Sequence, residues 1–365
     1  MQRREFITSA TLGITALALN ACHREEEDAK TGMANTGKKE KVTIKLATSW
    51  PAHFPIMGTG VDKFAARCAE LSDGTLEIKI YPKNILVPAL QVFDAASAAQ
   101  IDAFHSGVYY WKGKNSAFSI FGGMPLGLTS EEMITWLKFG GGYTLWRELY
   151  AKFNLYPLIG GSTGPQMGGW FKKQINSLND LQGLKMRIPG LAGEVMQRLG
   201  VNPVLLPAGN IYTALERGTI DATEWVGPAL DEMMGFSKVA PYYYTGWHEP
   251  GSILELTFNK TRWEKLSPHH QAVITAASEE MTGDMVQEFR YENAKALQKL
   301  SSATEIKKFP NEVIEAAKKA LQEVLAQESE KNEDFKRTLK SYNDFDKLNK
   351  PWDDISTKNF LEIRG

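Results

Sequence analysis

Cysteine and excess charge are what this sequence has least of. Its cysteines are Cys22 and Cys68 among 365 residues, and 42 basic residues nearly balance 43 acidic ones. If Cys22 is modified at the N-terminus, Cys68 has no partner for a disulfide within the chain, and we interpret it as a small buried residue of a helix. No basic stripe is interleaved with aromatic residues, so we expect no nucleic-acid partner.

Catalytic motifs are also missing. The sequence contains no Gly-x-Ser-x-Gly elbow, no His-Glu-x-x-His pair, no P-loop and no glycine pattern for dinucleotide binding. Its histidines and cysteines form no cluster of the kind that binds zinc. We therefore expect a protein that is not an enzyme.

The N-terminal region has the composition of a targeting segment. Two adjacent arginines precede an apolar run from about Ile7 to Leu19, which is shorter than the about 20 residues of a membrane span and fits an export signal over residues 1–21. The arginine pair resembles a twin-arginine signal. The residues before Cys22 resemble a lipobox, which predicts a lipidated Cys22 followed by a solvated tether over residues 22–41. The mature protein is then expected outside the cytoplasm, anchored to a membrane by lipid.

Beyond the tether, strands alternate with helices. Val42–Ala47 and Leu76–Tyr81 alternate apolar and polar residues as half-buried strands do, and Gly60–Leu71 between them has a helical pattern. This order predicts an α/β fold with a largely parallel sheet covered on both faces.

The pattern starts again after Ser177, which predicts a second lobe. Lys185–Ile188 and Asn202–Leu205 read as strands separated by a helix. From Pro268 to about Leu300, apolar residues recur every three or four positions, as on one face of a helix long enough to run along two lobes. We assign 42–163 and about 252–291 to the first lobe, and 164–251 and about 292–365 to the second lobe with the C-terminal helices.

Four segments together resemble a known family. Phe54–Gly60, Gly164–Phe171, Leu181–Gly190 and Leu215–Trp225 are similar, in this order, to segments of the substrate-binding subunits of tripartite ATP-independent periplasmic (TRAP) transporters. The resemblance is strongest to the branch that binds 2-oxo acids such as pyruvate, or 2-hydroxy acids such as lactate, beside a metal cation. It implies a two-lobe periplasmic binding protein of type II-like architecture, which delivers its solute to membrane subunits. It also implies a possible homodimer that exchanges a C-terminal helix.

Arg187 is the leading candidate for binding the solute. It lies at the end of a predicted strand, and its planar guanidinium can hold a carboxylate through two parallel hydrogen bonds. In the family motif that these residues resemble, the arginine binds the carboxylate of the solute.

Three oxygen-bearing side chains are candidate cation ligands. Gln166, Glu224 and Glu249 each follow a strand-like run, and their hard oxygen atoms suit sodium or calcium. The resemblance implies a shell of Gln166, Glu224, Glu249 and the main-chain oxygen of Trp225, completed by the solute. A cation would also offset the repulsion between two glutamates and an anionic solute. The choice between sodium and calcium stays open.

The remaining candidates would line the solute pocket. Gln166 and Trp225 are expected to contact the solute as well as the cation, and aromatic rings commonly form the apolar walls of such pockets. Further lining candidates are Tyr110, and with less support Tyr109, Trp50 and Trp247. Asn210 either reaches the solute or caps the helix that follows it, and capping is the simpler interpretation.

Two other functions remain compatible with these residues. A metal-dependent lyase or hydrolase that acts on an organic acid could use Arg187, Glu224 and Glu249, and a turnover assay would distinguish it because only an enzyme changes its ligand. A ligand-sensing module for a membrane receptor would have the same pocket. Adjacent genes for membrane subunits would favour transport over sensing.

Overall fold

The structure is a computed structural model that describes residues 41–301 and 304–365. Lys41–Gly365 forms one compact unit. The predicted export signal, the lipidated Cys22 and the tether up to Glu40 lie outside the described residues. Within the described ranges, no helix is both long and apolar enough to cross a membrane.

Strands and helices alternate along most of the chain. The strands are β1 (Val42–Thr48), β2 (Leu76–Tyr81), β3 (Ala103–Gly107), β4 (Leu155–Gly164), β5 (Gly169–Phe171), β6 (Lys185–Arg187), β7 (Asn202–Val204), β8 (Ala222–Thr223), β9 (Tyr242–Tyr244), β10 (Ser252–Asn259) and β11 (Ile306–Lys307). The helices are α1 (Met57–Leu71), α2 (Val92–Ser97), α3 (Phe118–Gly122), α4 (Ser130–Phe139), α5 (Gly142–Ala151), α6 (Gly190–Arg198), α7 (Ala208–Glu216), α8 (Pro228–Met234), α9 (Lys260–Glu264), α10 (Pro268–Leu300), α11 (Asn311–Lys331), α12 (Glu333–Ile355) and α13 (Thr357–Arg364). Short 3-10 helices lie at Val108–Trp111, Leu178–Leu181 and Phe236–Lys238.

The first sheet has the strand order β2-β1-β3-β10-β4. β1 pairs in parallel with β2 and β3, but β10 is antiparallel to both of its neighbours, β3 and β4. β1, β2, β3 and β4 therefore run in the same direction and β10 alone is reversed, so the prediction of a largely parallel sheet is correct except at β10. The reason is that β4 leads out of the first lobe and β10 returns to it, so the two strands run in opposite directions.

The second sheet has the order β11-β9-β5-β8-β6-β7 and forms the predicted second lobe. β6 pairs in parallel with β7 and β8, while β5 is antiparallel to β8 and β9. Because β6 and β8 are parallel neighbours, their carboxyl ends lie side by side at one edge of the sheet. The loops after these ends are where open α/β sheets bind ligands.

The long helix α10 links the two lobes, as the sequence predicts. It packs against β4 and α1 of the first lobe and against α8 of the second. Its buried side chains recur every three or four residues and include Ile274, Ala277, Met281, Met285 and Phe289, which is the spacing that places them on one face. Of the C-terminal helices, α11 packs on α6, whereas α12 packs on α3, α4 and α5 of the first lobe.

Local backbone signals set several helix boundaries. α4 and α5 are separated at Gly141, which adopts a left-handed conformation with φ 87°. α4 begins with a capping box in which Thr129 and Glu132 satisfy each other's backbone groups. Pro310 is the N-cap of α11. α1 begins three residues before the predicted start, at Met57.

Candidate functional site

Arg187 ends β6 and is fully enclosed between the lobes, with 1% of the residue exposed. β6 pairs with β8, and this pairing places Arg187 beside Thr223 and next to Glu224. The guanidinium Nη1 donates to the Glu224 carboxylate and, at 3.2 Å, to the Glu224 main-chain oxygen. Nε donates to the Leu206 main-chain oxygen at 3.3 Å. The positively charged guanidinium of Arg187 is thus held at the strand ends by one carboxylate and two carbonyl groups.

Aromatic side chains from both lobes surround the Arg187 guanidinium. Tyr110, in the 3-10 helix after β3, places its hydroxyl 3.4 Å from Arg187 Nη2. The guanidinium carbon lies 5.1 Å from the ring centre of Trp225, over the indole. Burial acts to lower the pKa of Arg187, but the Glu224 charge, together with smaller contributions from Tyr110, Tyr109 and Glu249, outweighs burial and raises this pKa. Arg187 therefore keeps its positive charge in the closed cleft.

Gln166 and Glu249 are brought together at the same cleft by a backbone contact. The main-chain N–H of Gln166 donates to the Glu249 main-chain oxygen at 2.9 Å. The side-chain Nε2 of Gln166 donates to Thr163 Oγ1 at 3.1 Å. Gln166 Oε1 and Glu249 Oε2 are buried and, within the described part of the chain, have no hydrogen-bond partner. Two buried acceptors without donors fit a hard cation, which would satisfy both of them.

The ionisation of Glu249 reflects this environment. Burial raises its pKa to about 7, opposed by the neighbouring His248 and reinforced by the charge of Glu224. Within the described ranges, no group of three or more histidine, cysteine, aspartate or glutamate residues is arranged to hold a metal. The predicted set contains only two carboxylates beside an amide and a main-chain oxygen, so it suits sodium or calcium rather than zinc.

His248 belongs to the site but is absent from the sequence prediction. It is fully buried, and its Nε2 lies 3.4 Å from Glu224 Oε2. Burial lowers the pKa of His248, but the hydrogen bond and charge of Glu224 outweigh burial and raise it. Its partner lies 24 positions away in another loop, so the sequence holds no local signal for the pair. The one feature of the sequence that could have indicated His248 as a site residue is that it directly precedes the candidate ligand Glu249.

The other lining candidates, Trp50, Tyr109 and Trp247, are all buried, and Tyr109 packs against Tyr110 at the site. Trp50 is buried and its Nε1 donates to His105 Nδ1 at 2.7 Å, so its polar atom is already satisfied inside the first lobe. Tyr109 is buried, and burial raises its pKa well above the usual value. Trp247 is buried, and its main-chain oxygen accepts from Leu126 N at 3.0 Å.

Asn210 is exposed at the third position of α7, and the capping interpretation is wrong. Pro207 is the N-cap, and no side chain caps this helix. The reason is that the helix already begins at Ala208, after the extended Pro207. Contact of Asn210 with a solute stays a prediction.

Known proteins resemble this chain along nearly its whole length. The family model described as bacterial extracellular solute-binding protein, family 7, matches residues 46–332. A monocarboxylate 2-oxoacid-binding periplasmic protein of Nostoc sp. is 38% identical over 99% of each chain.

Two solved structures share both the fold and much of the sequence. A TRAP periplasmic solute-binding protein from Colwellia psychrerythraea, with bound calcium and pyruvate, is 41% identical with a TM-score of 0.86. A second from Pseudoalteromonas atlantica, with bound sodium and pyruvate, is 41% identical with a TM-score of 0.87. Each alignment covers 88% of this chain and 99% of the other. The predicted two-lobe fold and family are confirmed: the chain belongs to family 7 of the bacterial extracellular solute-binding proteins, as a periplasmic solute-binding protein of the TRAP type.

Proposed function

We propose that the protein captures a 2-oxo acid such as pyruvate, or the related 2-hydroxy acid lactate, together with a sodium or calcium ion. It then delivers the solute to the membrane subunits of a TRAP transporter. The observation that carries this proposal is the enclosed guanidinium of Arg187 beside two buried oxygen atoms without donors, Gln166 Oε1 and Glu249 Oε2. The relatives that bind pyruvate with calcium or sodium support the same assignment.

Arg187 would hold the solute carboxylate. Its Nε and Nη1 already donate to Leu206 and Glu224, so Nη2 is the nitrogen that would donate to the solute carboxylate, and the Trp225 indole beside it provides an apolar surface. Tyr110 and Gln166 supply polar atoms at the same cleft, and Asn210 would contact the solute from α7.

The charges at the site explain why a cation would accompany the solute. Arg187 contributes one positive charge, whereas Glu224 and Glu249 contribute two negative charges. An anionic solute adds a third negative charge. Gln166, Glu224, Glu249 and the main-chain oxygen of Trp225 would hold the cation, which supplies the missing positive charge. With His248 neutral, a divalent ion balances the sum; with His248 protonated, a monovalent ion does. The choice between calcium and sodium therefore depends on the state of His248.

We infer that the protein binds its solute without converting it. The polar side chains at the cleft can hold an anion and a cation, and the family is one of solute receptors. Nuclear magnetic resonance of pyruvate incubated with the protein should show no new species. Conversion at a rate that depends on Glu224 would contradict this and favour a metal-dependent enzyme.

Two further proposals concern assembly. Cys22 would carry a lipid anchor, which mass spectrometry of the membrane-extracted protein would detect as a diacylglycerol adduct.

A homodimer would cover apolar side chains that are exposed on α12 and α13, among them Leu348, Trp352, Ile355 and Phe360. Light scattering should then give a molar mass twice that of one chain, and Trp352→Glu should reduce the measured mass to that of one chain.

The decisive experiment is calorimetric titration of residues 22–365 with pyruvate, longer 2-oxo acids, lactate and succinate. Chelator-treated protein is compared with and without added sodium or calcium. Tight binding of a monocarboxylate that requires the cation supports the proposal. Absence of binding for every acid would contradict it.

Arg187→Ala tests the assignment of the carboxylate site. We expect loss of detectable pyruvate binding, and a loss of stability of about 3–5 kcal/mol because Glu224 stays buried without its partner. The control is Arg198→Ala, an exposed arginine on α6 that pairs with Glu323, which should bind pyruvate normally. Normal binding by Arg187→Ala would place the carboxylate elsewhere.

A further inference from the structure

Phe54 reaches across the cleft to Trp225 in the second lobe. It lies in the loop between β1 and α1, and its ring centre is 6.4 Å from that of Trp225, with the two planes at 75°. Only 6% of Phe54 is exposed. The contact joins one lobe to the other, because Trp225 follows β8 in the second sheet. Phe54 therefore forms part of the cleft wall when the lobes are together.

Trp225 is the surface that Phe54 and Arg187 share. The guanidinium carbon of Arg187 lies 5.1 Å from the centre of the same indole. The sum of the two distances limits the separation of that carbon from the Phe54 ring centre to 11.5 Å. The hydrogen bond to a carboxylate takes about 2.8 Å of this span, and van der Waals contact with the ring takes about 3.5–4 Å. What remains accommodates a chain of only a few carbon atoms.

The backbone around Phe54 is held in an uncommon conformation. His53 and Ile56 have positive φ angles of 51° and 63°, and a β-branched residue such as isoleucine rarely adopts this region. The Phe54 main-chain oxygen accepts from Gly58 N at 2.7 Å and from Thr59 N at 3.0 Å. The first turn of α1 thus fixes the position from which the ring projects. Strain of this kind persists where the surroundings enforce it, and it is common at ligand clamps.

We propose that Phe54 closes the end of the solute pocket opposite Arg187 and sets the maximum length of the solute side chain. The inference rests on the proposed function, since it assumes that Arg187 holds the carboxylate of a 2-oxo acid. A short, unbranched 2-oxo acid fits between the guanidinium and the ring. A longer one collides with Phe54 before the lobes can close.

The test compares Phe54→Ala and Phe54→Leu with the unsubstituted protein. Residues 22–365 are titrated calorimetrically with pyruvate, 2-oxobutyrate, 2-oxovalerate and 2-oxohexanoate at saturating calcium. The measured quantity is the ratio of the Kd for 2-oxohexanoate to the Kd for pyruvate. We expect Phe54→Ala to lower this ratio by about tenfold or more, the scale on which hydrophobic pockets discriminate a methylene. Phe54→Leu should lower it less.

A matched control separates pocket length from core packing. Phe64 is buried on α1 against α10, so Phe64→Leu changes stability in the same lobe and should leave the ratio unchanged. An unchanged ratio in both Phe54 variants, with pyruvate still bound, overturns the inference and leaves the proposed function intact. If the unsubstituted protein binds none of the four acids, the assignment of 2-oxo acids in the proposed function fails.

Discussion

Glu249 shows how burial prepares a side chain for a cation. Its Oε2 has no donor among the described residues, and burial raises its pKa to about 7. A carboxylate in this position is costly unless a positive charge compensates for it. Gln166 Oε1 is also buried without a donor among the described residues. A hydrogen bond from the main-chain N–H of Gln166 to the main-chain oxygen of Glu249 holds both residues at the same cleft.

Glu249→Gln tests this role because it keeps the size of the side chain and removes its charge. We expect the calcium affinity to fall by about tenfold or more, since a contact to a charged group is worth about 1.5–3 kcal/mol. Calcium is titrated into chelator-treated protein at saturating pyruvate. The control is Glu216→Gln, an exposed residue at the end of α7, which should bind calcium normally. Equal calcium affinity in both variants would exclude Glu249 as a ligand.

The sequence points to most of these residues through family-like motifs placed at strand ends. Arg187 ends β6 and Glu224 directly follows the neighbouring β8, and the motifs that contain them resemble those of TRAP solute-binding subunits. The pairing of His248 with Glu224 depends on how two loops meet in space. No periodicity encodes such a contact. The roles of all these side chains toward a ligand stay predictions.

Among the elements, β10 carries an unusual buried carboxyl group. Glu255 is fully buried in the first lobe and accepts hydrogen bonds from the neutral side chains of Trp111, Tyr150 and Thr257. Burial raises its pKa to about 7, although these donors oppose the shift. The unfolded chain should have a glutamate pKa of about 4.3. Glu255 therefore links the stability of this strand to pH.

The sign of the effect follows from which state holds the proton. Between about pH 4.3 and pH 7 the folded protein keeps the Glu255 proton that the unfolded chain has released. The contribution of Glu255 is thus fully present below about pH 4.3 and is lost as the pH rises to about 7. The total loss is on the order of 4 kcal/mol, at about 1.4 kcal/mol per pH unit.

Glu255→Gln should remove this dependence because the amide stays neutral. In urea unfolding followed by tryptophan fluorescence, the variant should be more stable than the unsubstituted protein at about pH 8, and the difference should shrink toward about pH 5. The control is Glu264→Gln at an exposed position of α9, which should follow the unsubstituted protein. A difference independent of pH would show that the carboxyl is not buried in its neutral form.

The same strand shows why some elements escape prediction. α10 is recognised readily because its buried residues keep a helical spacing over 33 residues. Every residue of β10 and β3 is buried, so neither strand shows the alternation that revealed β1. Glu255, Ser106 and His105 also interrupt their apolar character. Burial on both faces hides a strand from periodicity arguments.

At the scale of the whole molecule, the candidate site is enclosed between the two lobes. Arg187, Glu224 and Glu249 are each at most 4% exposed, so we expect a solute to reach them only after the lobes separate. Besides the contact between Tyr110 and Arg187, an ion pair crosses the cleft between Lys112 of the first lobe and Glu194 on α6 of the second. This ion pair stabilises the closed state without belonging to the proposed ligand shell.

Lys112→Met should therefore weaken solute binding without altering the contacts of the solute. Partly exposed ion pairs are worth about 0.2–1 kcal/mol, so we expect a Kd about one and a half to five times higher. The change should lie in the dissociation rate, because the pair forms after the solute has entered, and it should shrink at high salt. Stopped-flow tryptophan fluorescence measures both rates. The control is Lys114→Met, which removes the ion pair with Asp94 inside the first lobe; equal effects of the two variants would show that the cross-cleft pair has no particular role in closure.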